Sequence, residues 1–225
     1  MTVALIIPAL DEELAIGPLL DAVDRALVRD VIVGDNGSRD ATGEVARARG
    51  AKVVRVDERG YGAACAGALS RLANDVDLVV FMDADGSDDP AEIERLLAPI
   101  LRGDSDLVIG SRPLGTIEPG ALTPQQRFGN WLATRLIRLI YRHRYTDLGP
   151  FRAIRRELLD RIAMRDRRYG WTVEMQVRSL QLGARVAEVP VTYRKRVGKS
   201  KISGTVMGVV KAGWWILYTI FKYAR

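Results

Sequence analysis

The sequence predicts an α/β fold in which a mostly parallel central sheet is flanked by helices. Two observations predict it. Short apolar runs alternate with helical patterns through the first half of the chain, and strand–helix alternation favours an open parallel sheet. The runs are also rich in β-branched residues and apolar on both faces, as is typical of strands covered by helices on both sides.

The first half of the chain supplies five strands and four helices. The predicted strands are Val3–Ile7, Val31–Gly34, Lys52–Val56, Leu78–Met82 and Leu107–Ile109. The predicted helices are Glu12–Val28, Asp40–Arg49, Tyr61–Asn74 and Pro90–Leu101. Pro90 suits a first helical turn, where a backbone N–H is not needed, and Asp88 and Asp89 before it are candidate caps.

The second half is less regular. A Gly- and Pro-rich loop is predicted at Gly115–Leu122, and a long basic helix at Thr123–Arg144. Further predicted elements are a strand at Asp147–Ile154, helices near Arg155–Met164 and at Gly170–Leu182, and a strand at Arg185–Tyr193. The apolar stretch Val206–Tyr223 predicts a C-terminal amphipathic helix.

Composition bounds the class of protein. The chain has 225 residues, 48% of them hydrophobic and 28% charged, which is ordinary for a globular domain with one core. Cys65 is the only cysteine, so an intramolecular disulfide and a cysteine-based zinc site are both excluded. The apolar N-terminal run has no basic leader, so we expect a buried strand there and not a secretory signal. No run of about 20 uncharged apolar residues predicts a transmembrane helix.

The net charge of +6 conceals an asymmetry along the chain. Residues 1–111 contain 11 Lys/Arg and 21 Asp/Glu, a net charge of −10. Residues 112–201 contain 20 Lys/Arg and 7 Asp/Glu, a net charge of +13. Two halves of opposite charge suggest two kinds of ligand, although a solvated basic face explains the second half equally well. No nucleic-acid-binding motif accompanies the basic half, so we expect no nucleic-acid partner.

Polar residues follow four of the predicted strands. In an open parallel sheet the ligand crevice lies beyond the carboxyl ends of the strands. The segments at those ends are Asp11-Glu12-Glu13, Asp35-Asn36-Gly37-Ser38, Asp83-Ala84-Asp85 and Gly110-Ser111-Arg112. The sequence therefore predicts a binding site at this edge of the sheet.

The sharpest of these segments follows the fourth strand. It presents Asp83 and Asp85 two residues apart, and Gly86 permits a turn that brings both carboxylates to one ligand. Mg²⁺ and Mn²⁺ take oxygen ligands and commonly share one or two carboxylates with substrate phosphates. Such a cation would stabilise a diphosphate leaving group. The alternative to a metal site is an aspartate-rich turn beside a helix cap, which is the more common explanation of an isolated Asp-x-Asp.

Two further turns each have two explanations. A carboxylate at Asp35 can accept hydrogen bonds from a nucleoside, whereas Asn36-Gly37 alone is typical of a tight turn. The small residues in Gly60-Tyr61-Gly62 would let a helix N-terminus approach a nucleotide closely, whereas helix packing alone also favours them.

Taken together, these segments resemble the family 2 glycosyltransferases, and most closely their polyprenyl-phosphate (dolichyl-phosphate) mannose and glucose synthase branch. The matching segments are Val3–Glu13, Asp35–Ser38, Gly60–Gly62, Asp83–Asp85, Gly110–Arg112 and Arg196–Lys201. The chain departs from the family pattern at Asp11, where Asn is usual, at Asn36, where a second Asp is usual, and at Ser87, where some synthases have Gln. The resemblance implies the GT-A fold, which has a Rossmann-like, mostly parallel sheet.

The resemblance also implies roles for individual residues. The donor-binding residues would be Pro8, Asp11, Glu12, Asp35, Gly62 and Asp83. The ligands of Mg²⁺ or Mn²⁺ would be Asp83, Asp85 and Ser87. The acceptor phosphate would be bound by Arg112, Arg127, Arg152, Arg196, Lys199 and Lys201. Arginine forks suit phosphate oxygens.

The predicted catalytic residues are Arg112, Asp147 and Glu174. A phosphate acceptor is already anionic and needs no general base, whereas a hydroxyl acceptor needs a nearby carboxylate. Asp147 resembles the segment that faces the donor sugar in the synthases. Glu174 lies where many family members place an acceptor-side acid, although an acid at a helix N-terminus near an apolar face explains it as well.

The C-terminal stretch combines aromatic residues with lysines. Trp214, Trp215 and Tyr218 lie between Lys211 and Lys222, a combination that favours docking at a membrane interface. Packing on the chain's own domain, or on a second subunit in a homo-oligomer, is the alternative. We predict a cytoplasmic protein that is peripheral at the cytoplasmic face of the membrane.

The sequence thus predicts an inverting glycosyltransferase that moves a hexose from a UDP- or GDP-sugar to a polyprenyl phosphate. Residues 1–203 would form the GT-A domain, with the nucleotide-sugar and metal in 1–111 and the acceptor in 112–203, followed by the helix in 204–225. The alternatives are a hydroxyl acceptor, such as a saccharide or small metabolite, and a nucleotide-sugar-binding protein without turnover.

Overall fold

A seven-stranded sheet forms the centre of the computed structural model, which describes residues 1–198 and 206–224. The strands are β1 (Val3–Ala9), β2 (Asp30–Asp35), β3 (Lys52–Arg55), β4 (Leu78–Phe81), β5 (Leu107–Ile117), β6 (Arg152–Arg155) and β7 (Val186–Tyr193). The helices are α1 (Glu13–Asp21), α2 (Thr42–Ala48), α3 (Tyr61–Leu69), α4 (Ile93–Leu101), α5 (Pro124–Tyr141), α6 (Arg156–Ile162), α7 (Trp171–Gln181) and α8 (Val206–Lys222). A 3₁₀ turn at Pro90–Glu92 precedes α4.

The strand order is β3-β2-β1-β4-β6-β5-β7, and only β6 runs against its neighbours among the described strands. Phe81, at the end of β4, therefore faces Arg152, at the start of β6. Because of this reversal, the segment that leads into β6 reaches the same edge of the sheet as the ends of β4 and β5. The topology thus brings 147–151 beside the strand-end acids, which are distant in sequence.

Two apolar clusters cover the two faces of the sheet. Leu5 and Ile7 point into one cluster and Ala4 and Ile6 into the other, since successive strand residues point to opposite faces. All four side chains are fully buried. The sheet is therefore covered by helices on both sides, and the predicted α/β class is confirmed.

Several predicted boundaries were wrong. β5 continues to Ile117 after a bulge, so the predicted loop at 115–122 begins as strand, and the close approach of Val191 O at Gly115 leaves no space for a Cβ. The strand before α6 begins at Arg152 and not at Asp147. Helix α1 ends at Asp21, because Asp24 accepts a hydrogen bond from the N–H of Ala26 and starts a separate turn. Helix α3 likewise ends at Leu69, five residues before the predicted end.

The C-terminal helix α8 packs on its own domain with one side. Thr219 and Ile220 are buried, and the hydroxyl of Tyr141 in α5 donates to the carbonyl of Ile220 at 2.7 Å. Trp214 and Phe221 remain exposed on α8. Within residues 1–198 and 206–224, none of the helices has the length and apolar character needed to cross a bilayer.

Candidate active site

A cavity of about 260 Å³ lies where β1, β2 and β4 end. Pro8 lines it at the end of β1, Asn36 after β2, and Asp83 and Asp85 after β4. The remaining wall comes from the turn before α3, from Tyr169 and from Arg196. The cavity therefore lies at the edge of the sheet where the sequence places the binding site.

Asp85 has protein partners at both oxygens of its carboxylate. Its Oδ1 accepts hydrogen bonds from the backbone N–H of Ser87 at 2.9 Å and from the Ser87 hydroxyl at 2.6 Å. Its Oδ2 pairs with Nη2 of Arg196 at 2.6 Å, and the same nitrogen lies 3.5 Å from Oε1 of Glu12. Ser87, a predicted metal ligand, therefore orients Asp85, and the predicted acceptor residue Arg196 lies against Asp85, which is itself a predicted metal ligand.

Asp83 has an unsatisfied oxygen. Its Oδ1 is buried and makes no hydrogen bond to the described residues. Burial, and next the negative charge of Asp85, raise the pKa of Asp83 to about 7, against the opposing effects of Tyr61, Arg196 and Arg112. A carboxylate in this state binds a cation readily, because the cation supplies both the missing partner and the compensating charge.

These residues fit a hard divalent cation such as Mg²⁺ or Mn²⁺. Within the described part of the chain, no three carboxylate, imidazole or thiol groups converge as a complete protein-only metal site. Asp83 and Asp85 would instead provide two oxygen ligands, and diphosphate oxygens and water would complete the coordination. The unsatisfied Oδ1 of Asp83 is the observation that favours this arrangement.

The turn after β2 corrects one predicted donor contact. Asp35 does not line the cavity: its oxygens accept from the N–H of Ser38 at 2.8 Å and from Arg55 at 3.0 Å. Although burial acts to raise it, the pKa of Asp35 is lowered by these hydrogen bonds. The lining residue is Asn36, whose Oδ1 accepts from the N–H of Gly60 at 2.8 Å. Asn36 thus joins the turns after β2 and β3.

Of the acids after β1, Glu12 lines the cavity and Asp11 does not. Asp11 has a φ of 52°, and its Oδ1 accepts from the backbone N–H of Arg39 at 2.7 Å. This left-handed conformation turns the Asp11 side chain toward the turn after β2. The structure therefore does not bring Asp11, a predicted donor residue, into the cavity, whereas Pro8 and Glu12 are there as predicted.

The glycines before α3 pack against protein. The N–H groups of Gly62 and Ala63, at the N-terminus of α3, donate to the carbonyls of Arg168 and Arg167 at 3.0 and 2.9 Å. A Cβ at Gly62 would lie 2.3 Å from the carbonyl oxygen of Asp166. The predicted approach of Gly62 to a nucleotide is therefore not seen, and the packing explanation holds. Gly60 and Tyr61 of the same turn do line the cavity.

Arg112 and Asp147, two predicted catalytic residues, form a buried pair, and neither is among the residues that line the cavity. Nε and Nη2 of Arg112 donate to the two carboxylate oxygens of Asp147, each at 2.7 Å. Asp147 is fully buried and also accepts from the backbone N–H of Arg112 and Leu148. The guanidinium lies 5.0 Å from the ring of Tyr193 at the end of β7. Asp147 therefore fixes the orientation of Arg112 and has little capacity left to act as a base.

Glu174, the other candidate base, lies outside the cavity. It is fully buried, and its oxygens accept from the N–H of Arg165 at 3.1 Å, the N–H of Asp166 at 2.7 Å and the hydroxyl of Tyr223 at 2.6 Å. This placement argues against the predicted role of Glu174 as an acceptor base. The structure favours the alternative explanation of Glu174 as an acid at a helix N-terminus near an apolar face.

The remaining predicted acceptor residues are not brought together. Arg152 is fully buried and donates to the carbonyls of Thr172, Leu148 and Gly149, so it holds the segment before β6 and lies outside the cavity. Arg127 is exposed on α5. Lys199 and Lys201 lie outside the described residues.

Asp88 is a residue that sequence reasoning missed. Of the two predicted caps, only Asp89 accepts from the N–H of Ala91. Asp88 is buried, and neither of its carboxylate oxygens makes a hydrogen bond of ordinary geometry to the described residues. Burial, and then the charges of Asp83 and Asp85, raise its pKa well above the usual range. It thus adds a third acid to the turn after β4.

Comparison with known proteins decides the family. The model of Glycosyl transferase family 2 matches residues 4–163, which cover β1 to α6 and the whole acidic turn. The chain belongs to glycosyltransferase family 2. The predicted family is confirmed, and Asp83-Ala84-Asp85 lies within the matched region.

Relatives of this family 2 chain support the assignment along its length. It is 36% identical over 212 residues to an uncharacterized glycosyltransferase of Mycobacterium tuberculosis, covering 93% of this chain and 94% of the relative. It is 35% identical over 233 residues to the undecaprenyl-phosphate mannosyltransferase of Micrococcus luteus, covering 96% and 94%.

A solved structure confirms the GT-A fold of this family 2 chain. Glucosyl-3-phosphoglycerate synthase from Mycobacterium tuberculosis, in complex with Mn²⁺, UDP and glucosyl-3-phosphoglycerate, is similar with a TM-score of 0.77. The identity is 24%, and the match covers 99% of this chain and 80% of that one. At this level of identity the likeness shows the fold alone.

Proposed function

We propose that the chain is an inverting glycosyltransferase that moves a hexose from a UDP- or GDP-sugar to a polyprenyl phosphate, with Mg²⁺ or Mn²⁺ as cofactor. The observation that carries the proposal is the cavity lined by Asp83, Asp85 and Arg196, in which Asp85 pairs with Arg196 at 2.6 Å. Acids that suit a cation and an arginine that suits phosphates are thus adjacent.

On the donor side, Asp83 and Asp85 would hold the cation. When bound, the cation would neutralise the diphosphate and stabilise it as a leaving group. Arg196 pairs with Asp85 and lines the cavity, so its guanidinium can also bind diphosphate oxygens. Tyr61 and Tyr169 provide aromatic wall for the rest of the donor.

On the acceptor side, Arg112 would hold the phosphate. Asp147 engages Nε and Nη2 of Arg112, which leaves Nη1 for the acceptor. An anionic phosphate oxygen can attack the anomeric carbon directly, provided it is held in line with the leaving group. The attacking oxygen forms the new glycosidic bond while the bond to the diphosphate breaks, which inverts the configuration. A hydroxyl acceptor would need a carboxylate that can act as a general base. The carboxylate oxygens of Asp147 and Glu174 already accept hydrogen bonds from the protein, which disfavours such an acceptor.

Membrane association would bring the chain to a lipid acceptor. Helix α5 contacts α8, and neither helix contains an acidic residue. Phe128 and Trp131 on α5, and Trp214 and Phe221 on α8, are exposed. Exposed aromatic residues beside arginines and lysines favour an anionic membrane surface. The relative from Micrococcus luteus, named for an undecaprenyl-phosphate acceptor, supports the same class of acceptor.

The deciding experiment incubates the purified chain and Mn²⁺ or Mg²⁺ with UDP- and GDP-hexoses, and with either a short polyprenyl phosphate or 3-phosphoglycerate. We expect release of one nucleotide and a glycosylated lipid. Asp85→Ala should abolish turnover, whereas Asp89→Ala, which removes a neighbouring capping carboxylate, should retain it. If 3-phosphoglycerate is glycosylated and the polyprenyl phosphate is not, the acceptor is a small phosphorylated metabolite and the proposed lipid acceptor is wrong. Failure to bind any nucleotide-sugar would refute the proposal.

A further inference from the structure

The segment 165–170, here called the connecting segment, joins α6 to α7 and forms part of the cavity wall. Tyr169 lines the cavity directly. The carbonyls of Arg167 and Arg168 accept the first N–H groups of α3, and Arg167 pairs with Glu58 at 2.8 Å. Any shift of this segment therefore moves both Tyr169 and the turn that carries Tyr61.

The opposite side of the connecting segment is held by one buried carboxylate. Glu174 accepts the N–H groups of Arg165 and Asp166, and it also accepts the hydroxyl of Tyr223 just after α8. Glu174 is fully buried, and a hydrogen bond in the protein interior is electrostatically stronger than one in water. Glu174 thus links the connecting segment to the end of the C-terminal helix by hydrogen bonds.

Two more contacts hold α8 against the connecting segment. The guanidinium of Arg168 lies 5.6 Å from the ring of Trp215. At Gly170, a Cβ would lie 2.2 Å from Oγ1 of Thr219, so the backbone of the segment approaches α8 as closely as a glycine allows. The end of α8 therefore forms the outer support of the same wall whose inner side faces the cavity.

We propose that Glu174 and Tyr223 are positioning residues: their hydrogen bond couples the end of α8 to the connecting segment and thereby sets the affinity of the cavity for the nucleotide. The inference rests on the proposed function, because it takes the cavity as the nucleotide site. It adds that the C-terminal helix is part of the donor-binding apparatus. By linkage, a nucleotide in the cavity stabilises the seated position of α8 to the same extent.

The test compares two tyrosines that bind the same helix. Tyr223→Phe removes the hydroxyl that donates to Glu174, whereas Tyr141→Phe removes a hydroxyl that donates to Ile220 O, within α8, at 2.7 Å. Binding of UDP with Mn²⁺ is measured by calorimetry, and thermal unfolding is measured in parallel. We expect Tyr223→Phe to weaken binding about fivefold or more, a typical size for coupled sites. Tyr141→Phe should bind UDP as tightly as the wild type does, although its melting temperature should be similar to that of Tyr223→Phe.

Hydrogen exchange provides a second measurement on the unaltered chain. UDP with Mn²⁺ should slow amide exchange both in 165–170 and in 219–223. Equal UDP affinity for wild type and both variants, or exchange that slows only at the cavity, would overturn the inference while leaving the proposed function intact. A wild-type chain that binds neither UDP nor GDP would overturn both.

Discussion

At the residue scale, the site depends on how burial acts on its acids. Asp83 and Asp85 come from one turn, but their surroundings differ: Asp85 has Ser87 and Arg196 as partners, whereas Oδ1 of Asp83 has none among the described residues. Desolvation and the negative charge of Asp85 therefore outweigh the opposing effects of Tyr61, Arg196 and Arg112 at Asp83, and its pKa rises to about 7. Protein groups thus engage both oxygens of Asp85, whereas one oxygen of Asp83 has no hydrogen-bond partner among the described residues.

The raised pKa predicts a pH dependence of metal binding. A carboxylate must be ionised to bind a cation, so below its pKa the affinity falls by up to about tenfold per pH unit. Because the pKa of Asp83 is about 7, Mn²⁺-dependent UDP binding should strengthen as the pH rises toward 7 and level off above it. Calorimetric titration of the chain with UDP and Mn²⁺ at pH values below and above 7 tests the prediction. UDP binding in EDTA is the control and should vary less, and a flat profile with Mn²⁺ would contradict the prediction.

At the element scale, the structural role of a glycine depends on how closely its backbone approaches a neighbouring segment. The N-terminus of α3 lies against the carbonyls of 166–168, and Gly60 has a φ of 147° that side chains rarely adopt. Helix α5, by contrast, has an exposed glycine at Gly129 with no atom within 4 Å of a Cβ. The same residue type therefore serves close packing at one helix and only adds backbone freedom at the other.

This difference predicts opposite effects of alanine. Gly62→Ala would place a Cβ 2.3 Å from Asp166 O, and a forced backbone shift of this kind destabilises by about 1–3 kcal/mol. Gly129→Ala should stabilise by roughly 0.5–1 kcal/mol, because alanine is the better residue in a helix interior. Urea unfolding of the two variants and the wild type measures both changes. Equal stability of the two variants would show that α3 does not pack as closely as described.

At the scale of the whole molecule, the two charge halves occupy different parts of one fold. The acids of the first half line the cavity at the ends of β1 and β4, whereas the second half contributes Arg196, which follows β7 at one end of the strand order. The second half also contributes α5 and α8, with exposed aromatic residues and no acids. The basic half thus provides both a cationic side chain of the cavity and the proposed membrane surface.

The membrane surface predicts a vesicle-binding pattern. The chain should sediment with phosphatidylglycerol vesicles and less with phosphatidylcholine vesicles, and salt should weaken the binding. Trp131→Ser and Trp214→Ser each remove an exposed indole, and each should weaken binding about tenfold if the ring is buried in the interface. Leu101→Ser, an exposed apolar position on α4, is the matched control. A concentration-dependent dimer without vesicle binding would instead support packing on a second subunit.

The sequence by itself determined the fold class, the family and the edge of the sheet that carries the site. Those conclusions depended on local patterns: apolar runs of strand length, glycine turns, and the acids that follow β1 and β4. Such patterns survive in the structure because strand direction dictates where a strand ends, and therefore where Pro8, Glu12, Asp83 and Asp85 meet.

Only the tertiary structure decided which polar residues face the cavity and which hold the protein together. Asp35, Arg152 and Glu174 have the chemistry of site residues, but each is engaged by groups far away in sequence, such as Arg55, Thr172 O and Tyr223. Asn36 and Tyr169 have ordinary chemistry and line the cavity. The physical reason is that a buried polar group must find its partners through long-range packing, and no local pattern encodes which partner it finds.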